Sequence, residues 1–308
     1  MAAIHIGISG WRYGPWRGDF YPKGLAQKRE LQFASRAVNS IEINGSFYAL
    51  QRPERYAQWY AETPDDFVFS VKAPRFITHV RRLREIEKPL ANFFASGVLE
   101  LKEKLGPILW QFPPNFKFEA ERFDQFLAQL PRDTQAAAAL ARQHDAHLPG
   151  HASVKAWRKK PLRHAVEIRH ESFIDPEFVR LLKRHNTALV VADTAGKWPY
   201  REDLTSDFVY VRLHGAEELY ASGYSDAALK RWAERIDAWH HGGQPKDAHL
   251  IAPRLKPRAR KSREVFCYFD NDIKVRAPYD ARDLLHRFDL DKNLATAPGE
   301  PAGEGVLA

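Results

Sequence analysis

The chain has 308 residues, 44% of them apolar, and its 47 Lys and Arg against 39 Asp and Glu give a formal net charge of +8. That apolar share excludes wholesale disorder and allows one large α/β barrel or two ordinary domains. The single cysteine, Cys267, excludes intramolecular disulfides and Cys-rich zinc sites and points to a reducing, cytosolic compartment, while the basic balance suits phosphate-rich partners as well as a merely soluble surface.

The first predicted strand, residues 4–9, opens with Ile4-His5-Ile6-Gly7-Ile8 and lacks the basic-then-apolar layout of a secretory leader. Further strands are predicted near 38–44, 67–73, 108–112, 164–169, 188–193, 207–214 and 264–270. Amphipathic helical patterns fall at 25–36, 53–62, 89–105, 119–130, 176–186, 226–241 and 279–288. No apolar run approaches membrane-spanning length, so no membrane partner is expected. Eight strands in βα alternation predict a (β/α)8 TIM-like barrel, one domain over residues 1–293. A doubly wound open sheet is the alternative; the strand count and a shared side-chain parity favour closure. The link between strands six and seven, 194–206, is too short for a standard crossover helix and is predicted to be irregular. Residues 132–160, with the Ala run 136–139 and His144, His147, Pro149, Gly150 and His151, read as an insertion. So do residues 243–263, whose last ten residues, 254–263, include six basic ones. The tail 294–308, rich in Pro and Gly, is predicted to be flexible or loosely packed.

In Val209-Tyr210-Val211-Arg212-Leu213-His214 the apolar residues take one parity and the polar ones the other. Ile41-Glu42-Ile43-Asn44, Phe69-Ser70-Val71-Lys72 and Val166-Glu167-Ile168-Arg169 repeat the pattern. With the large apolar residues packed under helices, the inward set is His5, Ser9, Trp11, Glu42, Asn44, Lys72, Gln111, Glu167, Arg169, Asp193, Arg212, His214, Tyr268 and Asp270. Burying ions is costly unless they are paired or used. An interior lattice of salt bridges would account for such a set. Polar groups gathered at strand carboxyl ends, where barrels carry their sites, favour a ligand pocket.

The loops add to that face. Residues 10–22 are glycine-hinged and aromatic; Trp16 and Phe20 read as packing, whereas Trp11, Tyr13 and, after the second strand, Tyr48 suit stacking on a planar ligand or sugar ring. After the third strand, Arg75, Thr78, His79, Arg81, Arg82 and Arg84 suit an anion such as phosphate. Glu42, Glu167, Asp193, His214 and Asp270 have metal-donor chemistry, yet no diagnostic ligand spacing exists and Lys72, Arg169 and Arg212 would repel a divalent ion. No cofactor is therefore expected, with a divalent metal on these donors as the lesser alternative. Gly-rich phosphate loops are absent. The basic runs 155–160 and 254–263 precede strands and so belong to the opposite face, where they suit non-specific nucleic acid binding.

Gly7-Ile8-Ser9-Gly10-Trp11-Arg12-Tyr13, Glu42-Ile43-Asn44 with Phe47-Tyr48, Ile77-Thr78-His79 and Gln111-Phe112-Pro113-Pro114 form an ordered series. Val166-Glu167-Ile168-Arg169-His170, Tyr210-Val211-Arg212-Leu213-His214-Gly215 and Tyr268-Phe269-Asp270-Asn271 continue it. The series resembles the YecE-like family, a domain of unknown function, over roughly residues 4–288. The resemblance implies a TIM barrel similar in layout to the xylose-isomerase and endonuclease IV type, and implies no established activity. It adds His170 and Asn271 to the candidate binding residues. Phe173 stands where the family usually has Trp.

The expectation is an enzyme-like barrel holding a small phosphorylated or nucleotide-like ligand, with hydrolysis of a phosphate-containing substrate as the first reaction class. Lys72, His79, Arg169 and Arg212 would bind the anion. Glu42, Glu167, Asp193 and Asp270 would act as acid/base groups or orient the cations and His214. The alternatives are a non-catalytic nucleic-acid-binding protein using its basic segments, and a carbohydrate-active barrel with an aromatic sugar platform.

Overall fold

Alternating side chains give each strand one apolar face to bury beneath a helix, and eight such strands pair in parallel and close on themselves. The structure is a computed structural model and describes residues 2–148, 150–215, 218–303 and 305–307; Pro149 of the first insertion and Glu304 and Ala308 of the tail lie outside the described residues. The strands are β1 Ile4–Ser9, β2 Ser40–Ile43, β3 Val68–Lys72, β4 Leu105–Gln111, β5 His164–Glu167, β6 Ala188–Asp193, β7 Phe208–Leu213 and β8 Glu264–Phe269. β8 pairs back onto β1 with Ile4 opposite Val265, which rules out an open doubly wound sheet.

Around the barrel run α1 Glu30–Ala37, α2 Gly45–Tyr48, α3 Pro53–Glu62, α4 Glu87–Ala95, α5 Ala120–Gln129, α6 Thr134–Ala141, α7 Pro176–Arg184, α8 Asp226–His240 and α9 Ala277–His286. Prolines at the first positions of α3 and α7 start helices without losing a needed N–H. Two helical expectations change. The single helix predicted over 89–105 ends at Ala95, because Gly97 turns the chain at φ +111°, and a 3-10 segment Val98–Lys104 follows. The Ala run of the first insertion is a helix, α6, capped by Asp133, whose carboxylate accepts from the Ala136 N–H. Its stripe of alanines carries no amphipathic period for a sequence reading to detect. The link 194–206 contains no helix.

Inside the barrel, Leu109, Ala165, Ala188, Val190, Ala192, Phe208, Tyr210, Phe266 and Tyr268 form a buried cluster separate from the shell under the helices. The interior is therefore largely apolar and aromatic, and charge gathers above it. At the amino-terminal end His5 contacts Glu264 at 2.9 Å, and Arg163 donates to the same carboxylate at 2.5 Å. The basic segments lie at this end. Lys160 donates to the carbonyls of Glu103 and Leu105, and the buried Arg263 to those of Gly242 and Arg258, so part of that charge brackets loops. The tail, expected to be loose, is tied down: Thr296 bonds the carbonyls of Phe33 and Arg36, and Gly299 donates to Phe20. Among the described residues no helix is long and apolar enough to cross a membrane.

Gly7 marks the closest approach of β1 to β2: a Cβ there would lie 1.7 Å from the Ser40 carbonyl oxygen. Gly7→Ala is expected to destabilise the barrel by on the order of 3 kcal/mol, read as a lower urea midpoint; an unchanged midpoint would mean that the two strands separate freely at this register.

Candidate functional site

The inward parity of β7 ends in Arg212, whose guanidinium is fully buried and donates from all three of its nitrogens. Nε and Nη2 grip Glu42 side-on at 3.1 and 2.9 Å. Nη1 donates to Glu167 at 2.7 Å, and Nη2 also reaches Asp270 at 2.9 Å and the Ser9 hydroxyl at 3.2 Å. Each carboxylate has further donors. Glu42 accepts from the hydroxyls of Tyr210 at 2.6 Å and Ser9 at 2.5 Å. Glu167 accepts from Gln111 at 2.9 Å and Arg169 at 2.8 Å. Arg169 itself lies over Trp198, its Cζ 3.7 Å from the ring centre, and its Nη2 donates to the Tyr220 hydroxyl oxygen at 3.3 Å. Trp198 comes from the irregular 194–206 link, so that link serves the site.

Burial alone would raise the Glu167 carboxyl, but Arg169, Arg212 and His214 overcome it and hold it well below the usual carboxylate range. Asp270 is likewise held low: burial pushes up, and Arg212, His214 and Lys72 pull down more strongly. Burial would lower Arg212, but Glu42, Asp270 and Glu167 keep it charged throughout. His214 is lowered by burial and by Arg212. Because Arg212 Nη1, 3.2 Å away, can only donate, His214 Nε2 accepts and its proton sits on Nδ1. Nδ1 lies 3.0 Å from the Asp270 carboxylate.

Above this layer a cavity of about 690 Å³ opens at the strand carboxyl ends. Lys72, at the end of β3, points into it with Nζ 4.2 Å above the Phe47 ring and no ion pair among the described residues. Burial, then Arg212, lowers its amine to about 8, partly offset by Asp270, Glu42 and Glu167. His79 is lowered to about 4, by burial and then by Arg169, Arg75 and Lys72, so at neutral pH it is an uncharged imidazole, with Thr78 Oγ1 2.8 Å from its Nδ1. Asp272 is raised to about 6 by burial and by Asp270. Arg12, Arg55 and Arg75 stand exposed on the wall.

The predicted residues divide four ways. Ser9, Glu42, Gln111, Glu167, Arg169, Arg212, His214 and Asp270 form the charged layer. Asn44 donates to Ser9 from the cavity wall at 2.7 Å, and Trp11, Tyr13, Tyr48, Lys72 and His79 line the cavity with it. Trp11 is buried edge-on against Trp59, and the Tyr13 hydroxyl donates to the Ser9 carbonyl, so of the proposed stacking platforms only Tyr48 is widely open. Tyr268 lies one layer lower, bridging Ser40 and Ser70 at 2.7 Å each.

Three residues are elsewhere. Asp193 shares parity with Leu189 and Val191, which pack outward, while Val190 and Ala192 face in; its carboxylate accepts from Tyr224 at 3.1 Å under the shell. His170 accepts from the Ser172 N–H as a turn cap, and Asn271 ties Asp280 to the Ser222 carbonyl. Of the basic loop, only Arg75 and His79 face the cavity; Arg81 pairs with Glu85 and Arg82 binds Asn115. Asp272, Arg55 and Tyr220 were missed; the spacing Asp270-Asn271-Asp272 carried a signal for the first. Among the described residues no group of three His, Cys, Asp or Glu is arranged to hold a metal ion, since the converging carboxylates converge on Arg212.

Comparison with known proteins gives a consistent result. The family described as "Protein of unknown function DUF72" matches residues 5–304. The UPF0759 protein YunF of Bacillus subtilis is 32% identical over 126 residues, 38% of this chain and 43% of its own length, so that match spans less than half of YunF. The UPF0759 protein YecE of Escherichia coli O157:H7 is 24% identical over 246 residues, covering 79% of this chain and 84% of its own. Crystal structures of DUF72 family proteins from Thermotoga maritima and Enterococcus faecalis superpose with TM-scores of 0.67 and 0.63 at 24% and 17% identity. They cover 93% and 97% of this chain and 99% of each of those chains.

Removing the arginine while keeping the volume, as in Arg212→Met, leaves buried carboxylates without their shared cation and should cost about 3–5 kcal/mol. Glu167 and Asp270 titrate near the ordinary value of about 4 when unfolded and lower when folded. The stability they add is thus present above that value and drains as pH falls through the folded values. In the variant burial raises the same carboxyls, so protonation relieves them, and its stability deficit should be largest at neutral pH and shrink as pH falls, read from urea midpoints at a series of pH values. A deficit that does not change with pH would show that the arginine does not hold the carboxylates.

Proposed function

Since the chain belongs to the DUF72 family of proteins of unknown function, its activity must be read from its site, and we propose that the barrel mouth binds a small phosphorylated or nucleotide-like anion. One observation carries the reading. Lys72, Arg12, Arg55 and Arg75 all face the cavity with no ion pair among the described residues, whereas the deep carboxylates already bond Arg212 and Arg169. A concave surface with unmatched cations on its walls attracts a compact, multiply charged ligand. The volume, about 690 Å³, suits a ligand larger than phosphate alone. Tyr48, widely exposed at the rim, offers a face for a planar or ring-shaped part of that ligand.

Hydrolysis finds less support than binding. Glu42, Glu167 and Asp270 are committed to Arg212, and Glu167 and Asp270, held well below the usual carboxylate range, are weak bases. The carboxyl suited to exchanging a proton near neutral pH is Asp272, at about 6.

Isothermal titration with ribose 5-phosphate, AMP and inorganic phosphate is expected to give binding that weakens with added salt. Arg75→Ala, at an exposed position, should weaken it roughly tenfold, ~1.4 kcal/mol, without changing the thermal midpoint. Absence of heat with all three ligands, or an affinity indifferent to Arg75, would sink the reading.

A further inference from the structure

Lys72 is the charged group of the mouth whose position anion binding leaves least explained. Its strand ends on it, and its own carbonyl is fixed by the Ser46 hydroxyl at 2.7 Å, so the side chain leaves a rigid element. It is buried at the cavity floor, its Nζ rests on an aromatic face, and among the described residues it pairs with no carboxylate. A lysine retained for charge alone is ordinarily placed beside an acid or in water. Around it stand Glu42 from β2, Glu167 from β5, Arg212 from β7 and Asp270 from β8, with His79 from the segment after β3. Arg212 has drawn those carboxylates to itself. What remains at Lys72 is an amine that burial has moved to about 8, with roughly two-hundredfold more free base at neutral pH than an ordinary lysine of pKa about 10.4.

We propose that Lys72 is a nucleophile that forms an imine with an aldehyde or ketone, and that the anion held by the rim arginines is a substituent of that carbonyl compound. The second half of this statement rests on the anion reading above; the first does not. The nitrogen lone pair forms a C–N bond as the C=O π pair moves onto oxygen, and one proton passes from nitrogen to that oxygen, giving a carbinolamine. The nitrogen lone pair then expels the hydroxyl, which leaves as water with a proton from the Asp272 carboxyl. A protonated imine and the Asp272 carboxylate remain. Asp272 lines the same cavity and, at about 6, holds a proton in a useful fraction of molecules near neutral pH. The protonated imine withdraws electrons from the neighbouring carbon, so the reaction class is proton abstraction or carbon–carbon bond making and breaking next to a carbonyl.

The test is reductive trapping. The full chain is incubated at pH 7 with glyceraldehyde 3-phosphate or with neutral glyceraldehyde, reduced with cyanoborohydride, digested and mapped by mass. Lys72 is expected to be alkylated more than about tenfold faster than the exposed Lys230, only when reductant is present, with its rate rising through pH 8. Lys72→Arg, checked for fold by circular dichroism, should lose that adduct and no other. Labelling of Lys72 no faster than of Lys230, by either aldehyde, overturns the proposal. The anion reading is scored separately: preference for the phosphorylated aldehyde, suppressed by inorganic phosphate, supports it. Equal labelling by both aldehydes leaves the nucleophile standing and removes the anion.

Discussion

Arg212 carries a full positive charge where water cannot reach it, and the site is organised around making that tolerable. An isolated guanidinium at such a depth would cost far more than a domain's whole stability margin. Three carboxylates from β2, β5 and the end of β8 answer it, and they in turn recruit Ser9, Tyr210, Gln111 and Arg169. The result is a polar layer in which Arg169 and Arg212 are hydrogen-bonded to Glu42, Glu167 and Asp270. An array matched in this way fixes geometry more than it offers chemistry. The groups with freedom to react or to bind are those it leaves out: Lys72 and Asp272 at the cavity wall, and the arginines on its rim.

The sequence was informative wherever a polar residue marked one parity of a strand. In β2, β3, β5 and β7 a single Glu, Lys or Arg among branched apolar residues told inside from outside, and the structure places Glu42, Lys72, Glu167 and Arg212 on the inner face. β6 had no such mark. Ala188 to Ala192 is apolar on both parities, so nothing in the pattern said that Asp193 follows Leu189 and Val191 outward. The same silence hid the composition of the barrel interior, where Tyr210, Phe266 and Tyr268 replace the polar lining that parity suggested lower down.

Other contributions were illegible for a different reason. Arg55 reaches the cavity from α3 and Tyr220 from a connection with no periodicity to read, and Trp198, from another such connection, lies against Arg169. Side chains delivered by helices and loops are placed by tertiary packing, and local spacing does not encode it. His170 and Asn271 show the converse. Each sits beside a residue of the charged layer, and each turns away to hold a loop. Adjacency to a functional residue in a strand predicts the opposite face, not the same one.

The bonds of Arg212 also reach far along the chain: 170 residues to Glu42 and 203 to Ser9. During synthesis β2 therefore exists, with Glu42 on its inner face, well before Arg212 has been made, whereas Glu167 is followed at once by Arg169. The strands up to β6 could not close on their own interior without burying the Glu42 anion away from its cation, so water has to remain between them until β7 arrives. The barrel is thereby set to fold late and as a whole, with its functional layer as the last part to dry.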